Sequence, residues 1–374
     1  MKRYMCILLV FCMILLSGCE LTDIEELEKI LFPNRIDYDA YVHINDLNQL
    51  RDYVSEQRAQ DNLQMSFVYT GEDELTCDSI IQFVDVCYVE LVVEGENYCL
   101  HHLTLTEYPG NRIVDAYFKD DTSQLSADEI QALNVAVKIV EEAKMQAETN
   151  LELEIALYDA LIEHITYVRS EVEFDAPENQ PRPLNAVGAL VDGMANCQGY
   201  TDAFYTVASI AGFEVGRMGV ETPEDPHMVN TVFLDGKWYV VDVTFGDDDQ
   251  HMIEYRLLNA GKDMIVEYWW DESNEIYPIS ETTNPEYYYY QLHQAAFDTK
   301  EEVLNYFAEQ RKANGYGVYC AVHFNGFSED YDAETANDEL YDILSQLNQA
   351  LQYKMWFLPN ERDVYYTVEF SEAS

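Results

Sequence analysis

Residues 193–212 read GMANCQGYTDAFYTVASIAG, and residues 227–244 read HMVNTVFLDGKWYVVDVT. In the first stretch the apolar side chains recur every three or four positions, which predicts an amphipathic helix. The residues of this apolar stripe are Tyr200, Ala203, Phe204, Val207, Ala208 and Ala211. Gly212 follows as a typical helix stop. The pattern therefore predicts a helix with Cys197 in its first turn or just before it.

Cys197 stands where a thiol can be reactive. The unpaired backbone N–H groups and the positive end of the helix dipole favour a thiolate at a helix N-terminus. The alternative is a buried cysteine that behaves as a small apolar residue, which is the commoner case for a lone cysteine. Gly193, Asn196 and Gly199 surround the thiol and favour the first interpretation, because a tight glycine-containing segment permits close approach of a substrate backbone.

The second stretch predicts a β-hairpin. Two runs of alternating apolar residues flank Asp235-Gly236, a dipeptide typical of two-residue hairpin turns. Such a turn places Leu234 opposite Lys237. The register of the whole hairpin follows from this one pair, because side chains alternate between the two faces of a strand.

The predicted register brings a histidine and an aspartate together. It places Asp242 opposite Val229, and His227 opposite Thr244. Val229 and His227 share a face, so Asp242 is the diagonal neighbour of His227 and lies within side-chain reach. An aspartate there can select the imidazole tautomer and stabilise the imidazolium, while the other ring nitrogen faces a thiol. A histidine at a strand end without such a partner would be an ordinary surface residue.

Two motifs carry a family resemblance. The element Cys197-x-Gly199-Tyr200 with its apolar helix, and the element that runs from His227 through Asn230 and Trp238 to Asp242, resemble the transglutaminase-like superfamily. The resemblance covers about the middle third of the chain, from the helices before residue 185 to about residue 246. It implies a papain-like Cys-His-Asp core of helices packed on an antiparallel sheet.

The resemblance also implies a role for each residue. Cys197 would be the nucleophile and its backbone N–H the first oxyanion donor, His227 the general base and acid, and Asp242 the orienting acid. Two positions depart from the family pattern, since Val229 and Phe245 stand where an aromatic residue and a tryptophan are common. By the resemblance, both departures would alter the substrate groove, and neither removes a catalytic group.

The first residues predict export and a lipid anchor. Lys2 and Arg3 precede an apolar run over residues 4–16, and Leu16-Ser17-Gly18-Cys19 follows. This is the pattern of a secretory signal with a small-residue cleavage site. Its last four residues resemble a bacterial lipobox, which implies cleavage before Cys19 and lipid attachment to its thiol. The expected location is the bacterial cell membrane, on its extracytoplasmic side, with a cleaved or retained signal without lipid as the alternative.

Charge and composition exclude several kinds of partner. The chain has 374 residues, a formal net charge of −49 and 48% hydrophobic residues, enough for a large core in two or three modules. So negative a surface repels nucleic acid and other polyanions, so a nucleic-acid partner is not expected. The same field is expected to raise the pKa of His227 and to oppose formation of a thiolate.

The cysteines and acidic residues predict neither a metal nor a cofactor. Five cysteines follow Cys19, namely Cys77, Cys87, Cys99, Cys197 and Cys320. An odd number leaves at least one thiol unpaired, and Cys197 is the natural candidate. Their spacing lacks the close pairs of a structural zinc site. The run 247–249 consists of three aspartates but lacks the spacing of a calcium loop, so a solvated turn is the better interpretation.

The two flanks contain a short internal repeat. Residues 53–58 read YVSEQR and residues 306–311 read YFAEQR. Each motif ends an amphipathic helix, and a strand-like run follows each, over residues 65–71 and 320–326. Further strands are predicted over 81–93 and 100–106 in the first flank and over 364–370 in the second. The repeat predicts two small related α+β modules on either side of the core.

The segments around the predicted core are assigned by local patterns. Ser126 opens a capping box for a helix towards Gln146, and a second helix covers about residues 151–165. The proline-containing segment 174–183 is expected to be a loop beside the cleft. The aromatic run 287–290 suggests sugar binding, but half-buried strand packing is the preferred interpretation.

The sequence predicts an α+β protein in which a papain-like transglutaminase core lies between two related α+β modules. The expected segments are a signal peptide over 1–18, a tether over 19–38, an N-terminal module over 39–120, a catalytic domain over 121–285 and a C-terminal module over 286–374. The expected chemistry is acyl transfer from amide bonds of peptides or proteins, with hydrolysis favoured. A protein cross-linking transglutaminase and a non-catalytic surface scaffold or adhesin are the alternatives.

Overall fold

The structure is a computed structural model. It describes residues 36–72, 74–81, 83–94, 99–169, 182–223, 225–247, 253–265, 268, 277–314, 319–324, 338, 341–342, 345–346, 351–358 and 363–370. The signal peptide, Cys19 and nearly all of the tether lie outside the described residues, as do most of the loop 174–183 and two of the aspartates in 247–249. No helix in the described ranges combines the length and apolar character needed to cross a lipid bilayer.

Helices and strands are interspersed along the described chain. The helices are α1 (Leu47–Arg58), α2 (Cys77–Ile81), α3 (Pro109–Lys119), α4 (Ala127–Gln146), α5 (Asn150–His164), α6 (Cys197–Ala211), α7 (Val243–Gly246), α8 (Tyr289–Leu292) and α9 (Lys300–Asn314). The strands are β1 (Val42–Ile44), β2 (Gln64–Tyr69), β3 (Tyr88–Glu94), β4 (Leu100–Thr106), β5 (Thr166–Tyr167), β6 (Met194–Ala195), β7 (Val215–Glu221), β8 (Pro226–Leu234), β9 (Lys237–Val241), β10 (Leu258–Ala260), β11 (Ala296–Phe297), β12 (Tyr319–Phe324), β13 (Leu351–Leu358) and β14 (Asp363–Phe370).

The chain divides into two compact units, and the first comprises Met1–Thr76 and Glu90–Thr104. Its sheet has the strand order β1-β2-β4-β3, in which β1 runs parallel to β2, and β2 antiparallel to β4. Helix α1 connects β1 to β2 and buries Leu50 and Val54. The strand expected over residues 81–93 is wrong in its first half, because α2 ends at Ile81 and the strand β3 begins only at Tyr88.

The second unit comprises Cys77–Val89 and Leu105–Ser374, and its centre is a helix-on-sheet core. The sheet has the order β10-β9-β8-β7 and is antiparallel throughout. Capping boxes begin α4 at Ser126 and α5 at Thr149, as the sequence predicts for α4. Helix α6 contacts β7, β8, α4 and α5, so it lies at the centre of the unit.

The hairpin of β8 and β9 has the predicted turn and register. Asp235 and Gly236 both have positive φ, of 47° and 83°, as a two-residue turn of this kind requires. Leu234 pairs with Lys237, as expected. The paired strand ends at Val241, one residue before Asp242, because the chain then turns into α7. The expected pairing of His227 with Thr244 is therefore wrong.

A second small module lies in the C-terminal part of the second unit. Its sheet has the order β11-β12-β14-β13, with β11 parallel to β12 and the other pairs antiparallel. The order β11, α9, β12, β13, β14 repeats the order β1, α1, β2, β3, β4 of the first module, apart from the short helix α2 after β2, and the sheet order is the same. The shared topology agrees with the repeat seen in the sequence, although strand β13 had no counterpart among the predicted strands.

The aromatic run 287–290 is a packing feature, as preferred, but it is not a strand. Tyr289 and Tyr290 belong to the short helix α8, and Tyr290 is fully buried. Tyr289 stacks on Tyr255 with ring centroids 3.6 Å apart. The molecule thus has the predicted α+β class, with a helix-and-sheet core and small additional sheets.

Candidate active site

Cys197 is the first residue of α6. The preceding Asn196 caps the helix, and its side-chain oxygen accepts a hydrogen bond from the backbone N–H of Gly199 at 3.2 Å. Gly193 turns the chain towards this cap with a φ of +65°, a conformation that favours glycine. The thiol is half-buried. The sequence prediction of a cysteine at a helix N-terminus is confirmed.

Gly199 has a different function from the one expected of it. A Cβ built on Gly199 would lie 2.2 Å from the carbonyl oxygen of Pro183, and that carbonyl also accepts the backbone N–H of Asn196 at 3.0 Å. The glycine therefore permits the chain around Pro183 to pack against the start of α6. This close contact is made by the protein's own backbone and not by a substrate.

His227 lies in the second position of β8 and contacts both other candidate residues. Its Nε2 lies 2.8 Å from Oδ2 of Asp242. A side-chain hydrogen bond also joins His227 to Cys197. Since Nε2 is hydrogen-bonded to the aspartate, Nδ1 is the ring nitrogen that can exchange a proton with the thiol. The structure thus brings together the cysteine, the histidine and the aspartate selected from the sequence.

Asp242 connects the end of β9 to the start of α7. Its carboxylate is 1% exposed and accepts three hydrogen bonds. Oδ1 accepts the backbone N–H of Phe245 at 2.9 Å, which makes Asp242 the cap of α7. Oδ2 accepts His227 and also the hydroxyl of Tyr268 at 2.5 Å. The turn into α7 therefore holds the carboxylate beside the histidine.

The electrostatics of the pair favour a charged histidine. Burial opposes the imidazolium, but the charge and hydrogen bond of Asp242 and the hydrogen bond of Cys197 outweigh it and raise the pKa of His227 to about 10. Burial likewise acts to raise the pKa of Asp242, but the charge of His227 and the donors around the carboxylate bring it below its usual value. The raised pKa of His227 agrees in direction with the expectation from net charge, but its causes are two neighbours, first Asp242 and then Cys197.

The sign of this shift determines its effect on stability. The pKa of His227 is higher in the folded protein than the ordinary value of 6.5. The ion pair therefore contributes its full stabilisation below about pH 6.5, and this contribution is lost as the pH rises through about 10. The pKa of Asp242 is lower in the folded protein than its ordinary value, so the stabilisation from its charge is lost as the pH falls into the acidic range.

A buried ion pair that sequence reasoning missed fixes α6 to the sheet. Arg217 on β7 is 3% exposed, and its guanidinium lies 2.5 Å from Asp202 on α6 and 2.9 Å from Asp85. It also stacks on the ring of Tyr205 at 3.6 Å. A signal was present, because Asp202 is the only charged residue in α6 and Arg217 the only one in residues 215–220.

Tyr268 is the second residue that the sequence did not indicate. It lies 26 positions after Asp242, in a segment without a recognisable motif. Besides its hydrogen bond to the aspartate, its ring meets His227 edge-on with centroids 5.9 Å apart. Only the path of the chain after β10 places it in the site.

Two of the other thiols lie in surroundings that oppose ionisation. None of the five cysteines of the described chain is in a disulfide. Burial is the main cause that raises the pKa of Cys87 and of Cys320, each to about 12. No cluster of histidine, cysteine or acidic side chains suited to a metal ion occurs within the described residues.

Comparison with known proteins agrees with this geometry. The model of the transglutaminase-like superfamily matches residues 140–243, a segment that contains all three candidate residues. No curated protein gives a significant match.

Three solved structures are similar to parts of the chain. A transglutaminase crystal structure shares 13% identity, with a TM-score of 0.31 over 71% of this chain and 75% of that one. A proposed cysteine protease from Cytophaga hutchinsonii shares 13% identity, with a TM-score of 0.25 over 42% of this chain and 62% of that one. A proposed protease from Parabacteroides distasonis ATCC 8503 shares 10% identity, with a TM-score of 0.24 over 76% of this chain and 62% of that one. The chain thus spans less than two thirds of the last two proteins.

The described fold places a helix with an N-terminal cysteine against an antiparallel hairpin that carries the histidine and the aspartate. The family match covers this same segment. Residues 140–243 of this chain are a domain of the transglutaminase-like superfamily.

Proposed function

We propose that the protein is a cysteine acyl-transfer enzyme that acts on amide bonds of peptides or proteins. The observation that carries the proposal is the contact of His227 with both Cys197 and Asp242, with Nε2 of the histidine 2.8 Å from the carboxylate. A thiol at a helix N-terminus beside an imidazolium is stabilised as a thiolate by both neighbours. A cysteine, a base and an orienting acid in this order form a nucleophilic site.

The proposed reaction has two steps. The Cys197 thiolate attacks the amide carbonyl, and the C–N bond breaks as His227 donates its Nδ1 proton to the leaving amine. This gives a thioester and a neutral imidazole. In the second step His227 takes a proton from the acceptor, which attacks the thioester and regenerates the thiolate. Asp242 remains ionised throughout and stabilises the imidazolium of the resting state.

We propose water as the acceptor, so that the enzyme is a peptidase or amidase. Hydrolysis requires only the base that the site already contains, whereas cross-linking also requires a binding site for a second substrate's amine. Incubation with a glutamine-containing peptide and a fluorescent primary amine separates these outcomes. Release of acid or ammonia without incorporation of the amine supports hydrolysis, and stable incorporation supports the cross-linking alternative.

Thiol labelling tests whether the site is built for catalysis. Because His227 remains protonated through neutral pH, iodoacetamide is expected to label Cys197 at pH 6 at no less than about a third of its rate at pH 8. A free cysteine, with a pKa near 8.5, loses roughly 80-fold over the same interval. Rates are measured by mass spectrometry of the Cys197 peptide, with N-acetylcysteine as the reference.

The protein contains its own control thiols for this experiment. Cys87 and Cys320 are expected to remain unlabelled at pH 8 in the folded protein, since burial raises the pKa of each to about 12. A fall in the Cys197 rate equal to that of N-acetylcysteine would support the scaffold alternative over the enzyme.

The location is a separate proposal, supported by the sequence of residues 2–19 alone. We propose that Cys19 carries a lipid that anchors the protein on the outer side of the cell membrane. Cys19→Ala is expected to abolish labelling by a fatty-acid probe and to release the protein from the membrane fraction or leave it unprocessed. Cys6→Ala, within the same apolar run, is the matched control and should label as the wild type does. Equal labelling of all three proteins would contradict the anchor.

A further inference from the structure

The Asp242 carboxylate uses one oxygen for two partners. Oδ2 accepts the hydroxyl of Tyr268 at 2.5 Å and Nε2 of His227 at 2.8 Å, while Oδ1 accepts the backbone N–H of Phe245. Hydrogen bonds from a hydroxyl to a carboxylate are short when the acceptor is charged, and the distance to Tyr268 is of that kind. The tyrosine therefore competes directly with the histidine for the charge of one oxygen atom.

We propose that Tyr268 is a positioning residue of the site, which orients the Asp242 carboxylate towards His227 and moderates the charge that the histidine receives. With the backbone of Phe245 on one oxygen and Tyr268 on the other, both ends of the carboxylate are held. The hydroxyl of Tyr268 reaches His227 through Asp242, whereas the ring meets the imidazole directly, so the role assigned here belongs to the hydroxyl. This inference rests on the proposed function, because it assigns Tyr268 to the same site.

The protonation state of Tyr268 is suited to this role. Burial first, and the neighbouring Asp242 second, raise the pKa of the phenol far above its ordinary value. The hydroxyl therefore keeps its proton over the whole range in which His227 titrates, and it remains a donor. Among the described residues, Tyr158 and Arg256 are further titratable groups that act on Tyr268, Cys197 acts on His227, and Asp247 and Glu254 act on Tyr158.

Removal of the hydroxyl should strengthen the hold of the aspartate on the histidine. In Tyr268→Phe the ring is retained, but Oδ2 no longer shares its charge with a phenol. The pKa of His227 is therefore expected to rise by about 0.5–1 unit. NMR titration of the imidazole nitrogens in ¹⁵N-histidine-labelled protein measures this shift, and His227→Gln assigns the signal.

A tyrosine with the same kind of bond elsewhere serves as the matched control. Tyr255 is also buried, and its hydroxyl donates to Oδ1 of Asp159 at 2.9 Å. Tyr255→Phe should leave the pKa of His227 unchanged, although it removes an equivalent hydrogen bond from the same core. An unchanged or lowered pKa of His227 in Tyr268→Phe, or an equal rise in both variants, would overturn the proposal.

A second substitution at the same position has the opposite expected sign and covers the case in which Tyr268→Phe fails to fold. Site-specific 3-fluorotyrosine at position 268 is a more acidic donor, so it should lower the pKa of His227; a rise or no shift would contradict the inference. Failure of the proposed function would show differently. If iodoacetamide labels Cys197 with the pH dependence of a free thiol while the pKa of His227 still shifts in Tyr268→Phe, the positioning role of Tyr268 is supported and the proposed enzymatic function is contradicted.

Discussion

Asp242→Asn is expected to slow the labelling of Cys197 by iodoacetamide roughly 100-fold at pH 6, without loss of the fold. The asparagine has the same shape and can still cap α7 through its side-chain oxygen, as Asp242 does for the N–H of Phe245. It cannot supply the negative charge that raises the pKa of His227 to about 10. Without that charge burial lowers the pKa of the imidazole, which is then largely neutral at pH 6 and ceases to stabilise a thiolate beside it.

The other end of the same hairpin provides the control. Asp235 lies in the turn with a φ of 47°, a conformation that asparagine also adopts readily, and its carboxylate accepts a hydrogen bond from Tyr287. Asp235→Asn removes one negative charge, as Asp242→Asn does, but it should change the rate of Cys197 labelling less than about twofold. Similar small effects of both substitutions would indicate a scaffold that retains the fold without its chemistry.

Arg217→Leu is expected to lower the free energy of unfolding by about 3–5 kcal/mol at pH 7. The substitution removes the counter-charge of Asp202, which is fully buried, and of Asp85, whose side chain is 18% exposed. A buried carboxylate without its partner must remain charged at a high desolvation cost or take up a proton. Denaturation by urea, followed by circular dichroism, measures the change.

The pH dependence of this loss has a definite sign. Burial already raises the pKa of Asp202 above its ordinary value while Arg217 is present, and removal of the arginine should raise it further. A carboxyl group with a higher pKa in the folded than in the unfolded state destabilises the fold only when it is ionised. The free energy of unfolding therefore falls as the pH rises through the folded-state pKa. The deficit of Arg217→Leu relative to the wild type should therefore shrink as the pH falls towards 4.

An exposed arginine gives the matched comparison. Arg169 lies 2.9 Å from Asp225, and the two side chains are 77% and 66% exposed. Arg169→Leu should cost no more than about 1 kcal/mol, since exposed pairs contribute little. Equal losses in the two variants would mean that Arg217 does not carry the link between α6 and the sheet.

Local sequence patterns were sufficient to predict the helix that carries Cys197 and the hairpin that carries His227. The apolar spacing and Gly212 delimited α6, whose observed bounds are Cys197–Ala211. The Asp235-Gly236 turn determined the register of β8 with β9, and with it the contact of His227 with Asp242. Both features follow from neighbours within a few residues, so their physical causes are written in the sequence.

The same rules were wrong where a distant part of the chain overrides them. The strand does not continue beyond Val241, because Asp242 caps a short helix. The hydroxyl of Tyr158 stabilises this turn by donating hydrogen bonds to the carbonyl oxygens of Asp242 and Glu254. Gly199 was assigned to a substrate, but it makes room for the backbone of Pro183. In each case the deciding atom lies more than ten residues away along the chain.

What the sequence by itself determined is the α+β class, the position of Cys197 at the start of a helix and the hairpin register that brings His227 near Asp242, because helix periodicity, turn chemistry and strand alternation act locally. Only the tertiary structure decided which groups surround them. Tyr268 reaches Oδ2 of Asp242, and Arg217 reaches Asp202, through contacts that no spacing rule specifies. The charge of His227 is set by burial, Asp242 and Cys197, because electrostatic interactions depend on distance and desolvation in the folded state, and not on order along the chain.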